Sequence, residues 1–463
     1  MFTNLRLIYM AGFSFFPAGK GENNLVAQKV HFYFNKAIKF VVNNKEKYVK
    51  NPRADFTRIR KLSLDDMLKQ ILSMEGGSLQ KELYSFGQIY HRDVTSSAFI
   101  QQRSKISGDA FKDIFAYFND WCNDKKKLKG YRVLAADGSD VNHYRNPNHE
   151  SFVSHSGCKR GYNQTHLNAI FDILNKTYFK VSLQPKPKEN EVGALIEMLQ
   201  RIQFKGKNLI ITDRGYEGYN LIAHFINTKN VDFLMRVKQG KGALREIKKL
   251  PMMELDKDLS FEVTTTQTKE DKLLNRIYIQ TQKNTKSYSK NTNRRNWDFH
   301  SPYLFKFRVV RFMLETGEYE TVITSLPREK FGISDIKELY HMRWGIETSF
   351  RELKYAIGLI NLHSKKEEFV EQEIYAALTM YNYCSRMASE AVIQNCKNTV
   401  YEYAVNFKMA VYLCKTFYRL NKNDFYQLLK DIENHTEPVR PGRKDKRNVK
   451  NKTFVGFTYR VAA

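Results

Sequence analysis

Four residues in one short stretch, Tyr340, Arg343, Glu347 and Lys354, carry side chains suited to phosphate chemistry. Their offsets of 0, 3, 7 and 14 place all four within an arc of roughly 60° if the stretch is one α-helix. An apolar stripe of Leu339, Ile346, Phe350, Leu353 and Ile357 runs beside that arc. The helix is therefore expected to pack one face on a core and present the charged face next to it. Glu347 is a ligand for a hard cation. Arg343 grips phosphate oxygens as a fork and Lys354 as a point charge. A cation beside phosphate binders is what phosphodiester chemistry needs. The same spacing also describes a solvated helix face stapled by weak ion pairs, so the rest of the chain has to decide.

The chain has 463 residues, enough for two to four domains with real cores. Lysine and arginine total 76 against 49 acids, a formal net charge of +27. An excess that large points to a polyanionic partner, nucleic acid first and an anionic membrane surface second. No apolar run reaches the length of about 18 residues that a membrane-spanning helix needs. Leu7 to Phe16 follows Arg6 in the manner of a secretory signal, but only one basic residue precedes it and the cleavage region is poor. Residues 1–25 are read instead as a flexible extension. The five cysteines (Cys122, Cys158, Cys384, Cys396, Cys414) are odd in number and form no CxxC pair. That fits a reduced cytoplasmic protein without a disulfide framework or zinc site.

Residues 26–125 read as helical. Ser63 is placed to cap a helix, with Asp66 as its capping-box partner and Gly76-Gly77 ending the run. Thr95 to Arg103 and a helix capped by Ser107 form a candidate helix-turn-helix for DNA binding. Lys125 to Lys129 reads as a loop. Strands are then expected at 131–136, 168–174, 178–184, 208–212 and 231–237, with helices between the last three, giving the order β-β-β-α-β-α-β over 130–237. Asp137 and Asp213 each close a strand, and ligands of α/β sheets gather at such ends. Asp140 is a rival to Asp137, three residues on. Residues 238–330 break the alternation with several β-like runs and the basic stretch Thr281 to Asn296, and read as a β-rich insertion. Ser334 can cap the helix that carries Glu347, within 331–365. Residues 366–463 read as helical, followed by a tail with seven Lys/Arg from 439 to 452, in which Arg440 and Arg443 are candidate DNA contacts.

Asp137, Asp213 and Glu347 thus lie on three elements of one α/β core. Carboxylates converging on one spot repel, and divalent cations remove that penalty. Two Mg²⁺ sharing an aspartate can activate a water or a 3′-hydroxyl and stabilise the leaving oxygen.

Asp137-Gly138-Ser139, Asp213-Arg214-Gly215-Tyr216, Asn190-Glu191 and Tyr340-x2-Arg343-Trp344-Gly345-Ile346-Glu347-x6-Lys354 resemble the DDE transposases of the insertion-sequence-4 type. The resemblance spans about 130 to 365. It implies an α/β fold with a ribonuclease H-like catalytic core interrupted by a β-rich insertion, flanked by helical N- and C-terminal regions. It also implies cut-and-paste movement of a DNA element with Mg²⁺, or Mn²⁺ in its place. By position, Asp137, Asp213 and Glu347 are metal ligands, and Tyr340, Arg343 and Lys354 hold phosphates of the element's end. The implied partners are double-stranded DNA and a second copy of the chain on it, at the nucleoid. Relatives carry a base-stacking Trp before the strand that corresponds to Glu320 to Ser325. Here Tyr319 is the nearest aromatic and Trp297 lies elsewhere, so a hairpin intermediate is not implied. Arg214 is a candidate phosphate contact. Trp344 reads as core packing, and His166 and Cys158 as structural.

Overall fold

The computed structural model describes residues 20–439 except 59, 123–125, 156–157, 240–243, 282–295 and 394–400. Most of the expected extension and of the 281–296 stretch, Lys125, Cys396, the Cys158 side chain and the tail with Arg440 and Arg443 lie outside the described residues.

The described residues open with five α-helices: α1 (Lys20–Asn43), α2 (Leu64–Ser73), α3 (Leu79–Tyr90), α4 (Ser96–Arg103) and α5 (Asp109–Trp121). It then alternates through β1 (Tyr131–His143), β2 (Phe152–His155), β3 (Cys158–Asp172), β4 (Thr177–Pro185), α6 (Glu191–Arg201), β5 (Lys207–Thr212), α7 (Tyr219–Asn227) and β6 (Val231–Arg236). A β-rich section follows, with α8 (Arg245–Lys248), β7 (Leu255–Thr264), α9 (Lys269–Leu273), β8 (Ile277–Tyr278), β9 (Tyr303–Met313) and β10 (Tyr319–Thr324). The last part is α10 (Ile333–Met342), α11 (Trp344–Tyr355), α12 (Glu367–Ala388), β11 (Glu402–Val405), α13 (Phe407–Arg419), α14 (Phe425–Asn434) and β12 (Thr436–Val439).

One ten-stranded sheet organises the middle of the molecule, in the order β2-β3-β1-β5-β6-β10-β9-β7-β8 with β4 also on β3. β3 runs antiparallel to both β1 and β4, while β1, β5 and β6 run parallel. This is the ribonuclease H-like arrangement, a meander continued by two parallel strands with crossover helices. Alternation along β1 sorts its side chains to two layers. Val133 and Ala135 face the core shared with Ile346, Phe350 and Leu353, whereas Leu134 and Ala136 face the core shared with Leu195, Leu199 and Leu221. The sheet is thus buried on both faces.

One expectation is corrected here. β1 does not stop at Ala136 but runs on to His143, paired only with β3, from Asp137↔Ala169 to His143↔Asn163. The extension SDVNH is polar and lacks strand alternation, so the hairpin partner, not side-chain pattern, holds it. The strands of the 238–330 section, expected as a β-rich insertion, join the core sheet. β10 pairs antiparallel with β6, so the section lengthens the core sheet.

Among the helices, the Ser63 cap forms as expected: its hydroxyl accepts from Asp66 N, and Ser63 N donates to Asp66 Oδ2 at 3.0 Å. α5 buries Ala110, Phe111, Ile114, Phe115 and Phe118 between α1 and α12. Only Asp109, Lys112 and Asp120 of α5 are exposed, which leaves α4 as the outward member of the pair. Arg103, at the end of α4, is buried and donates to Gln372 Oε1 (2.8 Å), Glu373 Oε1 (2.8 Å) and Phe369 O (2.7 Å) on α12. Removing one partner of a buried pair strands the other charge. Arg103→Ala should therefore cost about 3–5 kcal/mol, against about 1 kcal/mol for Ser63→Ala, in urea unfolding of the two variants beside wild type.

Candidate active site

The parallel register brings the first two acids together. β1 and β5 pair up to Ala135↔Ile211. Two residues further along each strand stand Asp137 and Asp213, on the same face by alternation. Asp213 follows the last residue of β5 and its Oδ1 accepts from Gly215 N at 2.7 Å. Asp137 Oδ1 accepts from Gly138 N at 2.9 Å.

Glu347 arrives from the helix above. The ladder is not continuous from 340 to 354 as the spacing suggested: α10 ends at Met342 and α11 begins at Trp344, with Arg343 between them. There the chain tightens to i→i−3 bonds, Arg343 N to Tyr340 O and Ile346 N to Arg343 O. The junction sends the Arg343 guanidinium between the two acids. Nη2 lies 2.8 Å from Glu347 Oε1 and Nη1 lies 3.6 Å from Asp137 Oδ2. Arg343 Nε is buried and has no hydrogen-bond partner among the described residues. Further along α11, Lys354 Nζ donates to Ser139 Oγ at 2.8 Å, on the Asp137 face of β1. Tyr340 is buried, with the guanidinium 5.9 Å from its ring centroid. All four residues of the motif therefore stand along one edge of the site.

Burial raises the Asp137 carboxyl to about 7; the Gly138 amide and Arg343 oppose the rise, and the negative charges of Asp213 and Glu191 add to it. Burial also pushes the Tyr216 phenol well up, aided by Glu191, Asp137 and Asp213. Asp137, Asp213 and Glu347 all offer carboxylate oxygens. Their oxygen-only donor set suits a hard divalent cation. Among the described residues, however, the trio whose ligand atoms lie within 4.8 Å of one another is Asp140, His166 and Glu189. Asp137 and Glu347 meet through a guanidinium rather than directly.

The rival Asp140 is accounted for by that second trio. It points to the opposite face of β1, 2.6 Å from His166 Nδ1 and 3.0 Å from Lys186 Nζ. Lys186 also pairs with Glu189, so a lysine occupies the place a cation would take. Burial opposes ionisation of Asp140, but the hydrogen bonds from His166 and Lys186 win and lower its pKa. His166, expected to be structural, centres an ion network, and its pKa rises to about 9 against its burial because the neighbouring Asp140 and Glu191 carboxylates favour the charged imidazole. Trp344, expected in the core, is 47 % exposed, with the Arg343 guanidinium 5.1 Å from its ring. Arg214 is exposed beside Asp213. Tyr319 opens β10, and its carbonyl accepts from Gln239 Nε2 at 2.6 Å. Trp297 packs on Phe299, Tyr303 and Phe305.

Comparison with known proteins now bears on this arrangement. The family described as "Transposase DDE domain" matches residues 128–383, more than half of the chain. The chain belongs to the DDE transposase family. It is similar to the transposase InsG for insertion sequence element IS4 of Escherichia coli (strain K12), at 24% identity over 310 residues, 62% of this chain and 60% of that protein. It is also similar to the putative transposase InsL for insertion sequence element IS186A of the same strain, at 34% identity over 74 residues, 16% of this chain and 20% of that protein. The matches thus span less than two thirds of either relative's length. Among solved structures, a piggyBac transposase synaptic complex with hairpin DNA aligns over 95% of this chain and 86% of that one, at 11% identity and a TM-score of 0.41. Among the described residues of this DDE transposase-family chain, no helix is long and apolar enough to cross a membrane.

The raised Asp137 carboxyl has a thermodynamic consequence. Its folded pKa of about 7 lies above the ordinary carboxylate value, so its contribution is intact at low pH and is lost as pH rises through about 7. In metal-free buffer, wild type should lose stability relative to Asp137→Asn between about pH 4 and pH 7. Denaturant midpoints of both proteins across that range check it.

Proposed function

We propose that this protein is a transposase that binds the ends of an insertion element, cleaves DNA by metal-dependent phosphodiester hydrolysis and joins the freed 3′ ends to target DNA. The observation that carries the reading is the single guanidinium of Arg343 shared by Asp137 and Glu347, acids from a strand and a helix 210 residues apart in sequence. Asp137, Asp213 and Glu347 are the residues that would hold Mg²⁺ or Mn²⁺. When bound, such a cation supplies an acidified water or 3′-hydroxyl and charge stabilisation of the leaving oxygen.

The protein's own residues prepare for that chemistry. Without DNA, Arg343 neutralises Asp137 and Glu347. A DNA phosphate at the edge of the site competes for Arg343, whose Nε already lacks an acceptor among the described residues. Lys354, held by Ser139 two residues along β1 from Asp137, adds a point charge to the same phosphate, and the Tyr340 ring backs the guanidinium. Arg343 then leaves the two carboxylates to their cation. Arg214 and Tyr319 contribute further DNA contacts, as do Arg440 and Arg443 in the basic tail. Two chains act on one DNA complex, each engaging one end, in the cytoplasm at the nucleoid. The charge of +27 supports a DNA partner.

Purified protein, labelled duplexes carrying the element's ends and Mg²⁺ test the reading, with Glu347→Gln beside wild type. Wild type should nick and join, and Glu347→Gln should bind the ends while losing at least about a thousandfold in cleavage rate. Cleavage without joining would instead make the protein a nuclease. Binding without chemistry in either Mg²⁺ or Mn²⁺ would leave a silent DNA-binding protein.

A further inference from the structure

Arg236 belongs to neither the Tyr-Arg-Glu-Lys motif nor the acid trio, yet the sheet sets it beside them. β5 and β6 run parallel in register up to Thr212↔Met235, so the next rung brings Arg236 alongside Asp213. The β1–β5 register already sets Asp213 beside Asp137. Residues on one rung share a face of the sheet. Leu234, two residues before Arg236, and Val322, its partner on β10, both lie in the core layer that holds Val133 and Ala135, on Asp137's side of the sheet. Three neighbouring strand ends thus present Asp137, Asp213 and Arg236 in a row about 10 Å long.

The Arg236 guanidinium is anchored without being used up. Its Nη2 lies 3.2 Å from Glu320 Oε2, on β10 two residues before Val322. Glu320 is buried, whereas the Arg236 side chain is 37 % exposed. Burial raises the Glu320 carboxyl, and the charges of Arg236 and Arg343 oppose the rise. Arg236 Nε and Nη1 meet no acceptor among the described residues. Two other arginines of this sheet differ. Arg308 spends its fork on Asp256 and a third nitrogen on Phe331 O. Arg311 donates to Thr321 Oγ1 and Pro251 O. Both are buried and committed to protein acceptors. Arg236 instead keeps donors facing water at the end of the row of acids.

We propose that Arg236 is a further phosphate-binding residue of the cleavage site. It takes the non-bridging oxygens of a DNA phosphate on the Asp213 side of the acids, while Arg343 and Lys354 hold another on the Asp137 and Glu347 side. Glu320 is its positioning residue. The inference deepens the transposase reading and rests on it. A guanidinium suits this place, because its planar fork keeps one edge on Glu320 and turns the other to phosphate. A strand laid across the row is then gripped on both sides of the carboxylates, which fixes the phosphate between them.

The test uses the full-length protein and duplexes carrying the element's end, unmodified or with single methylphosphonate linkages placed in turn around the cleavage point. Arg236→Gln alone would strand the buried Glu320, so the variant pairs it with Glu320→Gln. Its thermal midpoint should match wild type. The salt slope of end binding should fall by about one, and end cleavage in Mg²⁺ should slow at least about tenfold. One methylphosphonate that weakens wild-type binding should leave the variant's binding unchanged, since it neutralises the phosphate Arg236 would hold. If the variant keeps the wild-type slope, methylphosphonate profile and cleavage rate, Arg236 serves only to neutralise Glu320; the inference fails and the transposase reading stands. If wild type itself does not cleave, that reading fails and the inference falls with it. A variant that loses midpoint and cleavage together also overturns it, since the pair would then be holding the fold.

Discussion

The site depends on an electrostatic constraint: carboxylates from separate elements do not converge on a partly desolvated spot without a positive charge between them. In this molecule Arg343 supplies that charge, 2.8 Å from Glu347 and 3.6 Å from Asp137. The break between α10 and α11 falls at this residue, so the local backbone and the charge balance of the site are one feature. A continuous helix would carry the side chain along the α11 face. The tightened turn points it inward at β1.

A second ionic assembly sits on the opposite face of the same strand. Asp140, Lys186, Glu189, Glu191 and His166 form a network with a buried imidazole at its centre. β1 is therefore a partition with charge on both sides, and its residues alternate between them: Asp137 and Ser139 toward α11, Gly138 and Asp140 toward α6. The strand can run this far past the apolar core only because β3 pairs with it to His143. The helical shell holds the arrangement from outside, through Arg103 between α4 and α12 and through Lys415, whose buried ammonium donates to Met74 O and Ile357 O.

Much of this was legible in the sequence because it follows from local pattern. The strands at 131, 208 and 231 announce themselves as apolar runs, and acids that close such runs fall where parallel neighbours place them side by side. The Ser63-Asp66 cap was equally plain. What escaped was non-local. The polar end of β1 has no alternation to betray it, and the pairing of β10 with β6 that joins the 238–330 section to the core leaves no trace in either strand alone. His166 gave no signal of its hub role, because its partners come from β1 and the α6 start. Trp344 looked like core, and only the turn at Arg343 exposes it.

The central claim is that Arg343 and a divalent cation compete for the same two carboxylates. The direct measurement is the Mn²⁺ affinity of the DNA-free Arg343→Gln protein beside wild type. Removing the guanidinium's charge should tighten Mn²⁺ binding by about tenfold. Binding no tighter than in wild type would contradict the account, because Asp137 and Glu347 would then not be the carboxylates that Arg343 keeps from the ion.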